Sequence, residues 1–152
     1  MILYHLEKKK YADVWPPEGT LFAEGRWNKP GQWVIYASST ISLAKLEILA
    51  NENSFSIKRV CMTIEVSEEA TIFNIKKNQL PFDWHNKPYP VGLADLTSRF
   101  LASGKLLMQV PSAQSYTESN YLINVRHQKF YSFVKLKKVQ DEPFDPRLKT
   151  VR

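Results

Sequence analysis

The alternation of hydrophobic and polar positions along the chain predicts most of its secondary structure. Between Lys58 and Val66, apolar side chains recur at every second position, which is typical of a strand with one buried face. Further stretches with strand character are ILYHL, WVIYAS, ATIFNI, KLLMQVPSA, NYLINV and KFYSFVKLKKV. The chain is therefore predicted to be rich in short strands.

Two other stretches are predicted to be helices. SSTISLAKLEILAN can be capped by Ser39 or Thr40, whose side-chain oxygens accept a backbone hydrogen bond. LADLTSRFLAS is predicted to end at Gly104. Strands outnumber helices and do not alternate with them, which favours an α+β fold. We expect a mixed β-sheet core with a few helices, in one domain that spans residues 1–152.

The first of these helices carries an acidic residue at an unexpected position. With about 100° of rotation per residue, Lys45 and Ser42 mark one polar edge of the helix. Glu47 projects to nearly the opposite side, beside Leu43 and Ala44. The pattern predicts that most of this helix is buried and that Glu47 is buried with it.

The remaining segments are predicted to be loops. Lys29 to Gln32 has the residues of a type II turn, in which proline sets φ and the following glycine accepts a positive φ. It is flanked by an extended piece that ends at Asn28 and by the strand WVIYAS. The stretches predicted to be loops or irregular are PPEGTLFAEG, LPFDWHNKPYP and the tail DEPFDPRLKTVR.

Length and composition are those of an ordinary domain with a real core. The chain has 152 residues, of which 43% are hydrophobic. Its single cysteine, Cys61, allows no intrachain disulfide, which fits a reducing cytoplasm. The N-terminus lacks the apolar region of a signal peptide, and no apolar run approaches the roughly 20 residues of a membrane span. We therefore expect a cytoplasmic protein with no membrane association.

The net charge of +6 makes nucleic acid a partner to consider. However, the lysines are scattered along the chain, and no single helix collects them. A solvated surface, or a docking face for an acidic protein, is favoured over a nucleic-acid groove.

Several classes of site are not supported by the sequence. His5, His85 and His127 are isolated, and Cys61 has no partner at the spacing of metal ligands, so no metal site is predicted. The chain has five glycines and neither a phosphate loop nor a dinucleotide fingerprint. It also lacks the G-x-S-x-G motif of a serine nucleophile.

The candidates for chemistry are Arg26, Tyr36, Glu47 and Ser112. Three of them have ordinary interpretations: Arg26 at a sheet edge, Tyr36 in the core and Ser112 in a turn. Glu47 is harder to explain, because burying a carboxylate costs several kcal/mol or so unless it is paired. It is expected either to pair with a structural arginine or to face a cavity that uses it.

These residues lie in motifs that resemble the RES-domain family, named for its Arg, Glu and Ser. The motifs are GRWN, a Pro-Gly turn, a strand ending in Tyr36, L-x-x-L-E in the helix, LPFDW, VPSA, NYLIN followed closely by His127, and FDPRL. They occur in order along nearly the whole chain.

The resemblance implies a bacterial toxin with a fold similar to that of ADP-ribosyltransferases. Family members cleave the nicotinamide–ribose bond of NAD with water or phosphate as acceptor, and at least one branch modifies a protein instead. NAD is a substrate there, and no cofactor is implied. The implied partner is a helix-turn-helix antitoxin of Xre type that occludes the active site, so that nucleic acid is bound only through the antitoxin. A basic nucleic-acid-binding module without chemistry remains an alternative from another class.

The resemblance also assigns roles to the candidate residues. It implies that Glu47 stabilises the developing ribose cation, that Tyr36 stacks on nicotinamide and that Arg26 clamps the pyrophosphate or carboxamide. Ser112 is expected to donate one orienting hydrogen bond. Many members have arginine at the position of His5, so this chain is expected to bind the dinucleotide with a side chain that is mostly uncharged at neutral pH.

Arg26 and Tyr36 are predicted to line one pocket. If they lie on paired antiparallel strands, a four-residue loop from Lys29 to Gln32 would place them on opposite faces. A five-residue loop, or a bulge near Trp33, would place them on the same face, and that geometry is predicted.

Overall fold

The computed structural model describes residues 1–52 and 57–148, and these form an α+β fold, as predicted. Its strands are β1 (Ile2–Lys8), β2 (Val34–Ser38), β3 (Arg59–Val66), β4 (Ile72–Asn74), β5 (Leu107–Pro111), β6 (Ser119–Asn124) and β7 (Val134–Asp141). They form one seven-stranded sheet in the order β4-β5-β6-β2-β1-β3-β7. β4 and β5 run parallel and every other neighbouring pair is antiparallel, so the sheet is mixed.

The helices are α1 (Gly19–Phe22), α2 (Ile41–Asn51), α3 (Val91–Ala102) and α4 (Phe130–Phe133). Short 3-10 turns occur at Lys9–Tyr11, Lys77–Gln79 and Pro146–Leu148. The tail was predicted to be irregular, but it contains the last of these turns. Residues 149–152 of the tail lie outside the described residues. None of the helices in the described ranges is long and apolar enough to cross a membrane.

Both predicted helix boundaries are confirmed by local contacts. The Thr40 hydroxyl accepts a hydrogen bond from the Leu43 backbone N–H at 3.1 Å and caps α2. Beyond the end of α3, Gly104 has a φ of 75°, a conformation that glycine adopts without steric cost.

Two predicted extended segments are wrong because tertiary contacts impose other conformations. The piece predicted to be extended up to Asn28 is an irregular loop, so Arg26 lies in a loop and there is no hairpin with β2. The stretch before it was predicted to be a loop and contains α1. The predicted last strand begins with α4, whose Phe130 is fully buried in the core. The turn itself is confirmed: the Gln32 N–H donates to the Lys29 carbonyl at 3.1 Å, and Gly31 has a φ of 95°.

The sheet carries apolar side chains on both faces. One face forms a continuous cluster across the central strands, including Leu3, Ile35, Met62 and Ile64. On the opposite face, helices α2 and α3 cover separate clusters. A seam is therefore left between the two helices, above the centre of the sheet.

The sheet is nearly divided beneath that seam. β2 pairs with β6 at five positions, whereas β1 pairs with β2 only at Tyr4 and Ser38. Beyond this single pair β1 and β2 diverge, and the His5 ring bridges them through a hydrogen bond to the Tyr36 carbonyl at 2.6 Å. The divergence opens the floor of a pocket.

Candidate active site

A pocket of about 370 Å³ lies where β1 and β2 diverge, between helix α2 and the loop before β2. It is lined by four of the predicted site residues: His5, Arg26, Tyr36 and Glu47. Arg26 and Tyr36 therefore share a pocket, as predicted, although the hairpin expected to bring them together is absent. Its other polar lining residues are Tyr4, Glu24, Ser38, Asn51, Glu52, Tyr89 and Asn120.

Glu47 is an acidic group of this pocket that is held by neutral hydrogen-bond donors. Its Oε1 accepts hydrogen bonds from the Ser112 hydroxyl at 2.8 Å and from the Asn120 side-chain amide at 2.6 Å. No arginine or lysine in the described part of the chain forms an ion pair with it. The carboxylate therefore faces a cavity and is bound by neutral donors.

The prediction that most of α2 is buried, and Glu47 with it, is wrong. Only Leu43 and Ala44 of α2 are buried, and Glu47 itself is half-buried at the pocket wall. A pocket replaces the core contacts that the apolar pattern implies. Of the two outcomes expected for Glu47, a structural arginine or a cavity, the structure shows the cavity.

Ser112 is completely buried behind Glu47 and is not itself part of the pocket lining. Its hydroxyl donates to Glu47 and accepts the backbone N–H groups of Gln114 at 3.0 Å and Ser115 at 3.2 Å. A hydroxyl has one donor and two acceptor sites, so all of its hydrogen-bonding capacity is used. In this arrangement its orienting hydrogen bond goes to Glu47.

Asn120 is a site residue that the sequence interpretation missed. It lies on β6 opposite Ser38 of β2, and both side chains are buried. The Ser38 hydroxyl donates to Asn120 Oδ1 at 2.7 Å, while Asn120 Nδ2 donates to Glu47. The available signal was a polar residue at the start of NYLIN, next to the apolar run of β6.

Arg26 is held by aromatic rings and one carbonyl group. Its Nη1 donates to the Trp84 carbonyl at 2.7 Å. The guanidinium carbon lies 5.9 Å from the centre of the Trp84 ring and 5.1 Å from that of Tyr89, within the range of cation–π attraction. No carboxylate in the described residues forms an ion pair with Arg26, so its positive charge is available to a ligand.

Tyr36 has its hydroxyl fixed and its ring at the pocket wall. The hydroxyl donates to Asn28 Oδ1 at 2.6 Å and accepts the Trp27 backbone N–H at 3.1 Å. Burial raises the pKa of Tyr36 far above its ordinary value, so the hydroxyl stays neutral. A Cβ at Gly25 would lie 2.7 Å from this hydroxyl oxygen, which explains why glycine occupies that position.

Asn28, the last residue of GRWN, holds the loop that carries Arg26. Its side chain is buried, and Nδ2 donates to the carbonyls of Ala23 at 3.0 Å and Lys29 at 3.1 Å. Because its Oδ1 accepts the Tyr36 hydroxyl, one amide connects the loop to β2. The motif GRWN was recognisable in the sequence, but no role was predicted for Asn28.

His5 lies in the pocket with both ring nitrogens directed at protein atoms. The Tyr36 carbonyl can only accept, so Nδ1 must carry the proton of their hydrogen bond. Nε2 lies 3.4 Å from Glu7 Oε2. Burial acts to raise the pKa of Glu7, but His5, the Lys8 backbone N–H and Arg59 outweigh it and hold that pKa below its usual value.

The pocket therefore combines an unpaired guanidinium, aromatic walls and a fixed carboxylate. These groups suit a ligand with an anionic part, a flat ring and hydroxyl groups. Among residues 1–52 and 57–148, no three His, Cys, Asp or Glu side chains are grouped to hold a metal ion.

Comparison with known proteins gives the family. The RES domain model matches residues 2–146. Toxin Res of Yersinia enterocolitica serotype O:8 / biotype 1B (strain NCTC 13174 / 8081) is 33% identical over 153 residues, covering 98% of this chain and 100% of that protein. The Prs ADP-ribosylating toxin of Sphingobium sp. (strain YBL2) is 32% identical over 142 residues, covering 90% of this chain and 88% of that protein.

The fold has a solved counterpart in the crystal structure of the M. tuberculosis MbcT–MbcA toxin–antitoxin complex. The TM-score is 0.72 at 17% identity, covering 93% of this chain and 84% of that chain. Because the family model spans nearly the whole chain, and a relative 33% identical to it is matched over its entire length, the protein belongs to the RES-domain toxin family.

Proposed function

We propose that this protein is the toxin of a type II toxin–antitoxin pair and that it depletes NAD by cleaving the nicotinamide–ribose bond. The observation that carries the proposal is the hydrogen bonding of the Glu47 carboxylate. One oxygen, Oε1, is bound by two neutral donors, and no described residue donates to the other. A carboxylate that served only the fold would be expected to have its charge paired by a cation.

In the proposed reaction, the bond between the anomeric carbon and the ring nitrogen breaks, and its electron pair neutralises the pyridinium ring. Nicotinamide leaves, and positive charge develops on the ribose. Glu47 stabilises this charge through the oxygen that faces the pocket. Water or phosphate then bonds to the anomeric carbon, and an attacking water loses its proton to solvent. The products are nicotinamide and either ADP-ribose or its phosphate ester.

The other pocket residues would bind and orient the dinucleotide. Arg26 has unused N–H donors for the pyrophosphate or the carboxamide, in the planar geometry that suits both. Tyr36 provides an aromatic wall for the cationic nicotinamide ring. Ser112 acts through Glu47, and His5 shapes the floor, since its nitrogens already contact protein atoms. NAD is consumed as a substrate, and no cofactor or metal takes part in the proposal.

Incubation of the purified protein with NAD, with and without phosphate, tests the activity. Chromatography should detect free nicotinamide, either in both reactions if water is the acceptor or only in the reaction with phosphate if phosphate is. ADP-ribose as co-product identifies water as the acceptor, and a phosphorylated ADP-ribose that forms only with phosphate identifies a phosphorylase. A preparation that folds normally and releases no nicotinamide from NAD would overturn the proposal.

We propose that the toxin resides in the cytoplasm. There it would consume the cell's own NAD, so a second protein must neutralise it. An Xre-type helix-turn-helix antitoxin would cover the pocket mouth and supply the nucleic-acid binding of the pair. The surplus positive charge of +6 favours an acidic partner and faster association. The solved structural neighbour comes from a toxin–antitoxin complex. Unchanged NAD turnover in the presence of saturating, stably bound antitoxin would contradict occlusion.

ADP-ribosylation of a protein target is the second candidate, and the Sphingobium relative, a Prs ADP-ribosylating toxin, favours it. The same pocket would serve, with a protein side chain replacing water as acceptor. NAD labelled in its adenylate part distinguishes the two: label transferred to protein supports modification, whereas label recovered only in small products supports NAD depletion.

A further inference from the structure

We propose that Ser38 and Asn120 form a positioning relay that sets the orientation of the Glu47 carboxylate in the active site. The inference rests on the proposed function, because it assigns the relay to the same reaction. The relay consists of two hydrogen bonds in series, from the Ser38 hydroxyl to Asn120 and from Asn120 to Glu47.

The donors and acceptors of the relay follow from the Glu47 carboxylate at its end. A carboxylate only accepts hydrogen bonds, so the Asn120 atom 2.6 Å from Glu47 Oε1 must be the amide nitrogen. The amide oxygen then faces Ser38, whose hydroxyl donates to it at 2.7 Å. Ser38 therefore opposes rotation of the amide, which would turn its oxygen towards the carboxylate.

The sheet makes this geometry rigid. Ser38 and Asn120 are directly paired residues of β2 and β6, in a ladder of five pairs, and both side chains are buried. Glu47 comes from a different element, helix α2, which has no other polar link to these two residues among the described contacts. The relay thus fixes a helix side chain relative to the sheet.

The relay has a chemical consequence. Together with Ser112, Asn120 occupies Oε1 with two donors and leaves Oε2 as the oxygen offered to the pocket. Without the relay, the carboxylate could rotate and share both oxygens with solvent. Since a preorganised group costs no reorientation at the moment of reaction, loss of the relay should lower kcat and leave KM nearly unchanged.

Asn124 provides a matched control on the same strand. It is also buried, and it lies at the other end of the five-pair ladder, four positions further along β6 and opposite Val34. Its Oδ1 accepts the Arg126 backbone N–H at 3.1 Å, and it is not among the pocket residues. Asn124→Ala therefore removes a buried asparagine from the same strand without touching the relay.

The experiment compares Ser38→Ala, Asn120→Ala, the double variant and Asn124→Ala. With NAD, Asn120→Ala should lower kcat on the order of 100-fold, because small misplacements of a reacting group cost that much. Ser38→Ala should lower it about 10-fold, with KM within about threefold of wild type in both. The kcat of the double variant should equal that of Asn120→Ala, because Ser38 acts on Glu47 only through Asn120.

Additive losses in kcat for Ser38→Ala and Asn120→Ala would overturn the relay, as would a loss in Asn124→Ala equal to that in Asn120→Ala. Thermal unfolding of each variant separates these effects from loss of fold.

A second measurement needs no turnover. In ¹H–¹⁵N spectra, the Asn120 side-chain amide should shift in both Glu47→Gln and Ser38→Ala, whereas the Asn124 amide should not. If wild type releases no nicotinamide, the proposed function fails, and these amide shifts still decide whether the relay exists. An Asn120 amide that is unaffected by both substitutions would disprove it.

Discussion

The two walls of the pocket hold opposite charges by different means. On the sheet-and-helix wall, Glu47 is fixed by short hydrogen bonds from Ser112 and Asn120, both of which come from strands or strand ends. On the loop wall, Arg26 donates to one carbonyl and lies against the rings of Trp84 and Tyr89. One charge is held by directional bonds and the other by aromatic faces.

The difference suits different tasks. Directional hydrogen bonds from a rigid sheet define the position of a carboxylate closely, which a group that stabilises a transition state requires. Cation–π contacts tolerate sliding and rotation over the ring. An arginine held in this way can adjust to a flexible pyrophosphate as it binds. We therefore expect changes on the first wall to affect kcat and changes on the second to affect KM.

Glu47→Gln should have the largest effect. Glutamine keeps an oxygen that can accept from Ser112 and Asn120, so the melting temperature should hold. It removes the negative charge, and losing such an electrostatic element lowers the rate by about 100-fold or more, or about 3 kcal/mol. Steady-state kinetics and thermal unfolding of the same preparation measure both quantities.

Glu24→Gln is the matched comparison for Glu47→Gln. Glu24 lines the same pocket but is exposed and lies on the loop wall. Its effect on kcat should be several-fold smaller. Equal losses of kcat in the two variants would mean that the total charge of the pocket matters rather than the position of Glu47. That result would contradict the proposed difference between the two walls.

Gly25→Ala should disturb the loop wall as a whole. The added Cβ would lie 2.7 Å from the Tyr36 hydroxyl and 2.8 Å from Asn28 Oδ1, so one of these groups must move. Overpacking of this kind destabilises by about 1–3 kcal/mol. Denaturant unfolding should show that loss. Gly19→Ala, where a Cβ meets no atom within 4 Å, should show little change.

A double variant identifies the cause of that loss. Tyr36→Phe removes the hydroxyl that the new Cβ would meet, so Gly25→Ala should cost less in a Tyr36→Phe background than in wild type. An identical cost in both backgrounds would show that the contact with Tyr36 is not what requires glycine.

Arg26→Lys should raise KM for NAD by about 10-fold, because lysine keeps the charge but loses the planar donors and the stacking surface. The effect on kcat should stay within about threefold. Arg126→Lys is the control: Arg126 also donates to a carbonyl, that of Gly31, and lies over Trp33, but it is outside the pocket. A fall in kcat with unchanged KM in Arg26→Lys would contradict the division of tasks.

Local chemistry explains which parts of the fold were predictable from the sequence. The cap at Thr40 and the positive φ of Gly31 and Gly104 depend on the residue itself and its immediate neighbours. The loop around Arg26 does not, since its shape depends on the bonds of the Asn28 side chain and on the hydroxyl of Tyr36. The extended conformation predicted for this loop is therefore replaced by one that depends on tertiary contacts, which cannot be read from the local sequence.

The site was predicted in part for the same reason. An acidic residue on the apolar side of a helix is conspicuous, and Glu47 could be found from spacing alone. Asn120 could not, because one asparagine in a strand has many ordinary explanations, and its contact with Glu47 spans 73 positions of sequence. The buried role of Ser112 likewise appears only when the turn after β5 is folded.

The smallest expected effect concerns Glu7, a carboxylate of β1 that does not line the pocket and whose side-chain partner is the ionisable His5. Its pKa in the folded protein is held below the ordinary value of 4.5. A lowered carboxyl pKa stabilises the folded state above the unfolded pKa, and the contribution is lost as pH falls through the folded pKa.

Glu7→Gln should therefore cost less than about 1 kcal/mol at neutral pH and should flatten the decline of stability below pH 4.5. Urea unfolding between neutral and acid pH measures this, with the exposed Glu69→Gln as control. An unchanged acid slope in Glu7→Gln would mean that the His5–Glu7 contact does not stabilise the folded protein.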